Sequence, residues 1–258
     1  MIDLTVDGRG VATLTMDRPE KHNALSQALI DALTAAAAEI AERADIRVVV
    51  LTGAGVSFCA GGDLAWMQEQ MRGDDDMRRR AATSIARMLG AINTLPQPVI
   101  GKVNGNALGG GVGMACVCDI AIAADHAKFG LTEVKLGLIP ATIGPYVLAR
   151  MGEAKARQVF MSGRVFGAEE AVRLGIIARA VAADELDDAI EAEIAPYLAA
   201  APGAVAAAKR FARSLGPVID ESTVARSIDA LIAQWRSDEA NEGISAFFDR
   251  RKPRWSVD

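Results

Sequence analysis

Twice in this chain a short β-branched apolar run leads into a glycine-rich loop and then a helix-like segment. The first unit is Arg47–Leu51 (RVVVL), followed by FCAGGDL at 58–64 and a helical stretch to about residue 71. The second is Val99–Val103 (VIGKV), followed by LGGGVGM at 108–114 and small apolar residues to Cys118. Runs of this type are strands buried on both faces, which a parallel sheet covered by helices accommodates. Repetition of the unit predicts stacked βα turns whose loops share one edge, in an α/β fold.

The flanking segments fit this plan. Residues 2–17 alternate around Gly8-Arg9-Gly10 and read as a β-hairpin. Ser26 is placed to cap a helix to about Glu42, with Leu29, Leu33, Ala37 and Ile40 on one face. Asp74-Asp75-Asp76 reads as a mobile, solvated run before a helix over 77–94. Ile120–Ala123 is a third buried strand, and Phe129–Leu131 the end of a short one. Beyond about 184 the pattern is helical. The expected organisation is a core over 1–199 and a helical C-terminal region over 200–258.

Composition removes several function classes. The 258 residues are 51% hydrophobic with a formal net charge of −5, so disorder and nucleic-acid binding are poor fits. No apolar run is long enough for a membrane span. The N-terminus, MIDLTVDGRG, lacks the order of a signal peptide. Cys59, Cys116 and Cys118 form no CxxC pair, which fits a reducing cytoplasm and buried, inert thiols. With only His22 and His126, a multi-histidine zinc site is nearly excluded.

The two glycine loops admit three readings: tight strand-to-helix packing, a phosphate cradle, or an oxyanion hole. No GxxxxGK[ST] supports the phosphate reading. Helix starts present unpaired N–H groups, and small residues let a ligand approach them. Two such loops at one edge favour two N–H groups converging on one developing negative charge. Glu133, in the small, apolar stretch FGLTEVKLGLIP, reads by itself as a surface or capping residue. In an apolar pocket its raised pKa would suit proton transfer.

Together these segments resemble the crotonase family, the enoyl-CoA hydratase/isomerase superfamily. The resemblance runs through RPEKHNALS (18–26), FCAGGDL (58–64), NALGGGVGMACVCDIAIA (106–123), FGLTEVKLGLIP (129–140), SGRVFGAEEAVRLGII (162–177) and AFFDRRKPRW (246–255). It implies a crotonase (ClpP-like) spiral of ββα repeats whose helical C-terminal region forms homotrimers or homohexamers. It also implies an acyl-CoA thioester substrate and no other cofactor or metal. The thioester oxygen would sit between the amides of Ala60 and Gly110, with Glu133 as acid/base. Asn23-Ala24 and Ala60, Gly61, Gly62 and Asp63, with Leu64 and Gly110, would bind substrate and coenzyme.

One departure matters. The family's hydratases usually carry a second glutamate two residues after the triple glycine, where this chain has Gly113. Glu133 alone leaves open a hydratase in which it does both jobs or another group, Asp63 or Glu69 for instance, assists. It also leaves open a 3,2-enoyl-CoA isomerase using one base, or a non-catalytic acyl-CoA binder. The glycine at 113 and the segment IPATIGPYV look similar to bacterial methylglutaconyl-CoA hydratases of leucine breakdown, which implies a short, branched 2-enoyl-CoA. A second carboxylate on such a substrate would need a basic group, for which Lys135 and Arg150 are candidates. Trp66 and Met67 are placed to line the acyl pocket or to pack in the core, His22 to lie at the surface or near coenzyme, and Arg250, Arg251, Lys252 and Arg254 to form a basic tail that is a solvated face or meets the coenzyme's phosphates.

Overall fold

The computed structural model describes residues 1–257. The hairpin forms as expected from β1 (Ile2–Val6) and β2 (Val11–Met16), antiparallel and paired from Ile2↔Met16 to Val6↔Ala12. Ser26 accepts from the amide of Leu29 and starts α1 (Gln27–Glu42), whose Leu29, Leu33, Ala37 and Ile40 are buried. The apolar run becomes β3 (Val48–Gly53), buried along its whole length.

Each expected unit contains an additional short strand. After β3 the chain turns through β4 (Ser57–Cys59) before α2 (Leu64–Arg72). Asp74 does not lie in a loose surface run: its carboxylate accepts from the amide of Met77 and starts α3 (Asp75–Asn93) two residues earlier than expected. Asp75 and Asp76 then occupy the first turn, where the helix dipole favours acidic groups. The second unit gives β5 (Val99–Val103), β6 (Asn106–Leu108) and α4 (Gly110–Val117). A third follows with β7 (Ile120–Ala124) and β8 (Lys128–Gly130), ending in a 3-10 turn at Glu133–Leu136.

The chain continues through α5 (Gly144–Met151), α6 (Glu153–Phe160), β9 (Val165–Gly167), α7 (Ala168–Leu174) and β10 (Arg179–Val181). Four helices close it: α8 (Leu186–Ala199), α9 (Pro202–Leu215), α10 (Glu221–Trp235) and α11 (Asp238–Phe248). Two sheets result. A six-stranded sheet runs β1-β2-β3-β5-β7-β10, parallel after the hairpin, and a four-stranded sheet runs β4-β6-β8-β9. The first strands of successive units stack in one sheet and the second strands in the other, which is the spiral of ββα repeats. In the smaller sheet β4, β6 and β8 are parallel, with Cys59 beside Ala107 and Ala107 beside Phe129. Their C-terminal ends therefore lie side by side, and the chain leaves them as 60–62, 109–110 and 132–133.

Candidate active site

The adjacency of those three strand ends builds the site. Gly61 has φ +92° and Gly109 φ +48°, backbone conformations that disfavour any residue with a Cβ. A Cβ on Gly109 would stand 3.0 Å from Glu133 Oε1 and 3.9 Å from the Cα of Gly61. One on Gly61 would lie 3.7 Å from the amide nitrogen of Gly110. Three segments separated by about fifty and twenty residues thus converge within van der Waals distance. The amide of Gly109 donates to Gly130 O at 2.8 Å and ties the second loop to β8.

The amides at these strand ends differ in whether they are already bonded. Ala60, expected to be one half of the oxyanion hole, donates its N–H to His22 O at 3.0 Å. That hydrogen bond commits the donor, so Ala60 is corrected: its amide is not free for a substrate. The amide of Gly61 faces the Cys59 sulfur. Gly62 is the next residue, and among the described residues its N–H has no acceptor. Gly110 is the first residue of α4, and its amide also has none. Among the described residues, the cavity-lining amides of the two glycine loops with no acceptor are those of Gly62 and Gly110, with the dipole of α4 behind the second.

Glu133 stands opposite. Its Oε2 is buried without a hydrogen-bond partner. Burial pushes its pKa from 4.5 up to about 7, only partly offset by a hydrogen bond from its own amide. The residue as a whole is half-buried, while its carboxyl end is the enclosed part. A carboxyl poised near neutrality is suited to take and return a proton.

These groups line a cavity of about 450 Å³, within the range of small-ligand sites. Ala60, Gly61, Gly62, Leu64, Gly110 and Glu133 all line it, as do Trp66 and Met67. Ala24 and Asp63 stand behind the wall. The carbonyl of Ala24 accepts from Arg18, and Asp63 pairs with Arg18 at 3.0 Å while accepting from the amides of Ala65 and Trp66. Asp63 and Asn23 hold the loops rather than facing the cavity; the Asn23 amide donates to Ala54 O and Ser57 O. Glu69 is exposed and outside the lining.

Gly113 has a structural counterpart. A Cβ there would lie 2.6 Å from Ile143 Cγ2 and 2.9 Å from Ile143 Cβ. The space beside the position of the missing carboxylate is filled by an isoleucine from the IPATIGPYV segment. The polar side chains that line the cavity besides Glu133 are Gln70, Arg78, Thr132, Lys135 and Thr142. Arg150 is not among them: it donates to Cys116 O and Asp119 O on another face. Arg78 carried no distinguishing sequence signal, because it is one of three consecutive arginines at the start of the helix expected over 77–94. Leu231 and Trp235 of α10 and Phe247 of α11 complete the wall, so the C-terminal helices take part in the site.

The remaining candidates play structural parts. Burial raises the three thiols to about 12 each, which leaves them protonated and inert. His22 is exposed, with Nδ1 3.0 Å from Ser57 Oγ. Arg251 and Arg254 of the basic tail pair with Glu242. Among the described residues no helix is long and apolar enough to cross a membrane.

The two-sheet spiral, with Gly62, Gly110 and Glu133 lining one cavity at its strand ends, is the architecture of crotonase-fold enzymes. Residues 7–257 match the family described as enoyl-CoA hydratase/isomerase, and the chain belongs to that family. It is 36% identical to a Bacillus subtilis protein named for enoyl-CoA hydratase/isomerase, over 96% of this chain and 95% of that one. Among solved structures, an enoyl-CoA hydratase from Shewanella pealeana superposes with a TM-score of 0.81 at 36% identity, covering 98% and 95% of the two chains. Another from Mycobacterium smegmatis gives 0.80 at 33% identity, covering 99% of each.

Proposed function

We propose that this enzyme adds water to a short, branched 2-enoyl-CoA such as 3-methylglutaconyl-CoA, with coenzyme A carried by the substrate and no further cofactor. The observation that carries this reading is the enclosed, unpaired carboxyl oxygen of Glu133 in one cavity with the unbonded amides of Gly62 and Gly110. In the reaction the thioester oxygen accepts from both N–H groups. Ionised Glu133 takes a proton from water as the water oxygen bonds to C3. The C2=C3 electron pair moves onto the thioester oxygen, whose charge the two amides stabilise, each by about 3–4 kcal/mol. The enolate then collapses, and C2 takes the proton back from Glu133. One carboxyl performs both transfers, so both new bonds form on the face that Glu133 presents.

The packing of Ile143 against Gly113 also supports a second reading, 3,2-enoyl-CoA isomerisation, because a lone base removing a proton from C2 and returning it to C4 needs no second carboxylate. A non-catalytic acyl-CoA binder would have no use for an enclosed, unpaired carboxyl. We further place the chain in the cytoplasm, in leucine breakdown, as a trimer or hexamer. The exposed Phe211, Leu215 and Val218 near the end of α9 support assembly. The deciding experiment offers purified enzyme 3-methylglutaconyl-CoA, crotonyl-CoA and a 3-enoyl-CoA. Hydration of a 2-enoyl-CoA is the expected outcome. Double-bond migration without water addition would replace it with the isomerase reading.

A further inference from the structure

Arg78 is a cation placed in the wall of an otherwise largely apolar cavity. It comes from the first turns of α3, and its side chain is only 12% exposed. Three contacts fix the guanidinium: Nε donates to Gln70 O at 3.0 Å, Nη2 to Met71 O at 3.2 Å, and Nη1 to Asp75 at 3.2 Å. Its Cζ lies over the Trp235 ring, 5.3 Å from the centroid, and Trp235 lines the same cavity. A fork held on three sides and stacked on a fourth has lost its rotamer freedom before any ligand arrives.

The charge is not cancelled. Asp75 is shared, its other oxygen pairing with Arg236 at 2.5 Å. Two guanidiniums against one carboxylate leave one net positive charge. The other lysine or arginine lining the cavity, Lys135, is exposed, so solvent screens it. A wall for a purely hydrocarbon acyl chain would need no fixed guanidinium.

We infer that Arg78 recognises a carboxylate on the acyl group of the substrate, and so selects dicarboxylic acyl thioesters over hydrocarbon ones. This rests on the acyl-thioester reading of the cavity and makes its substrate class specific. Arg78 is a specificity residue here: it binds the remote end of the acyl group and takes no part in proton transfer.

Two saturated thioesters of equal chain length, glutaryl-CoA and valeryl-CoA, test this by calorimetric binding. Neither has a double bond, so the result is independent of whether the enzyme hydrates or isomerises. The wild type is expected to bind glutaryl-CoA at least tenfold more tightly. In Arg78→Met that ratio is expected to fall at least tenfold, and Arg78→Lys to retain part of it, since charge remains but the fork is lost. Equal binding of both ligands by the wild type overturns the inference and leaves the acyl-CoA reading standing. Binding of neither overturns both. A wild-type preference that survives in folded Arg78→Met assigns the carboxylate to another group and also overturns it. Should Arg78→Met not fold, the wild-type ratio and Arg78→Lys still decide, and an undiminished ratio in the lysine variant counts against the fork.

Discussion

The Cγ2 methyl of Ile143 stands 2.6 Å from where a β-carbon on Gly113 would be. The chain has therefore done more than omit a carboxylate: an isoleucine from the loop before α5 occupies the space next to it. Gly113→Ala is expected to lower stability by about 1–2 kcal/mol, overpacking outweighing the gain in helix propensity. The same change in an Ile143→Ala background is expected to cost clearly less, because the clash is shared by the pair. Chemical denaturation of the four-member cycle measures the coupling; strict additivity would show that the two side chains do not compete for space.

Glu133 gives a pH signature in activity. Its carboxyl titrates at about 7 in the folded enzyme because burial disfavours the charge. The base is the ionised form, so kcat/KM is expected to rise with pH through about 7 and then level. Glu133→Gln is expected to lose about 10²–10⁴-fold and to leave no such limb. A profile flat from pH 5 to 9 in the wild type would remove Glu133 from the proton transfers.

The same shift has a stability consequence of opposite direction. A pKa raised in the folded state means that stability is intact below the unfolded value of about 4.5 and is lost as pH rises through about 7. The loss approaches about 3 kcal/mol at high pH, from about 1.4 kcal/mol per pKa unit. Glu133→Gln is accordingly expected to be more stable than wild type at pH 8 and similar to it at pH 4. Urea midpoints at the two pH values check the sign.

Gly62 can be tested more cleanly than Gly110. A Cβ at Gly62 meets only Met67, at 3.5 Å, whereas one at Gly110 meets Leu25 Cδ1 at 2.6 Å. Gly62→Ala keeps the N–H in open space, while Gly62→Pro removes it. The proline variant is expected to lose about 10²–10³ in kcat relative to the alanine variant, the cost of one oxyanion donor. Equal kcat in the two would return the role to another amide.

Asp63 is expected to behave as a structural residue. Burial works against its charge, but Arg18 and the amides of Trp66 and Ala65 outweigh it and hold the pKa below the ordinary carboxylate value. Its contribution is therefore present above the unfolded pKa near 3.8 and lost as pH falls through the lower folded value. Asp63→Ala is expected to cost about 1–3 kcal/mol through the lost cap and ion pair. Thermal melts at pH 7 measure this, and binding of a saturated acyl-CoA separates a stability loss from a direct ligand contact.

The local chemistry of this chain was legible in its sequence. Ser26 and Asp63 cap helices as their residue types dictate. RVVVL and VIGKV are buried strands because β-branched residues fit a sheet covered on both faces. The triple glycine stood out as bare backbone at a helix start, and Glu133 only through the family resemblance, since by itself it reads as a surface or capping residue. Amide allegiance was not legible. Ala60 looks as available as Gly62 until the fold brings the His22 carbonyl, thirty-eight residues upstream, to 3.0 Å from it. Nor does a sequence say that Ile143 fills the room beside Gly113, or that Arg78 of a charged run turns inward onto Trp235 while Arg150 turns away. Propensity and capping act over a few residues, and composition reports them directly. Which donor is already spent, which space is already filled and which charge faces a cavity depend on partners distant along the chain, and only the parallel stacking of β4, β6 and β8 and the packing of α3 against α10 decide them.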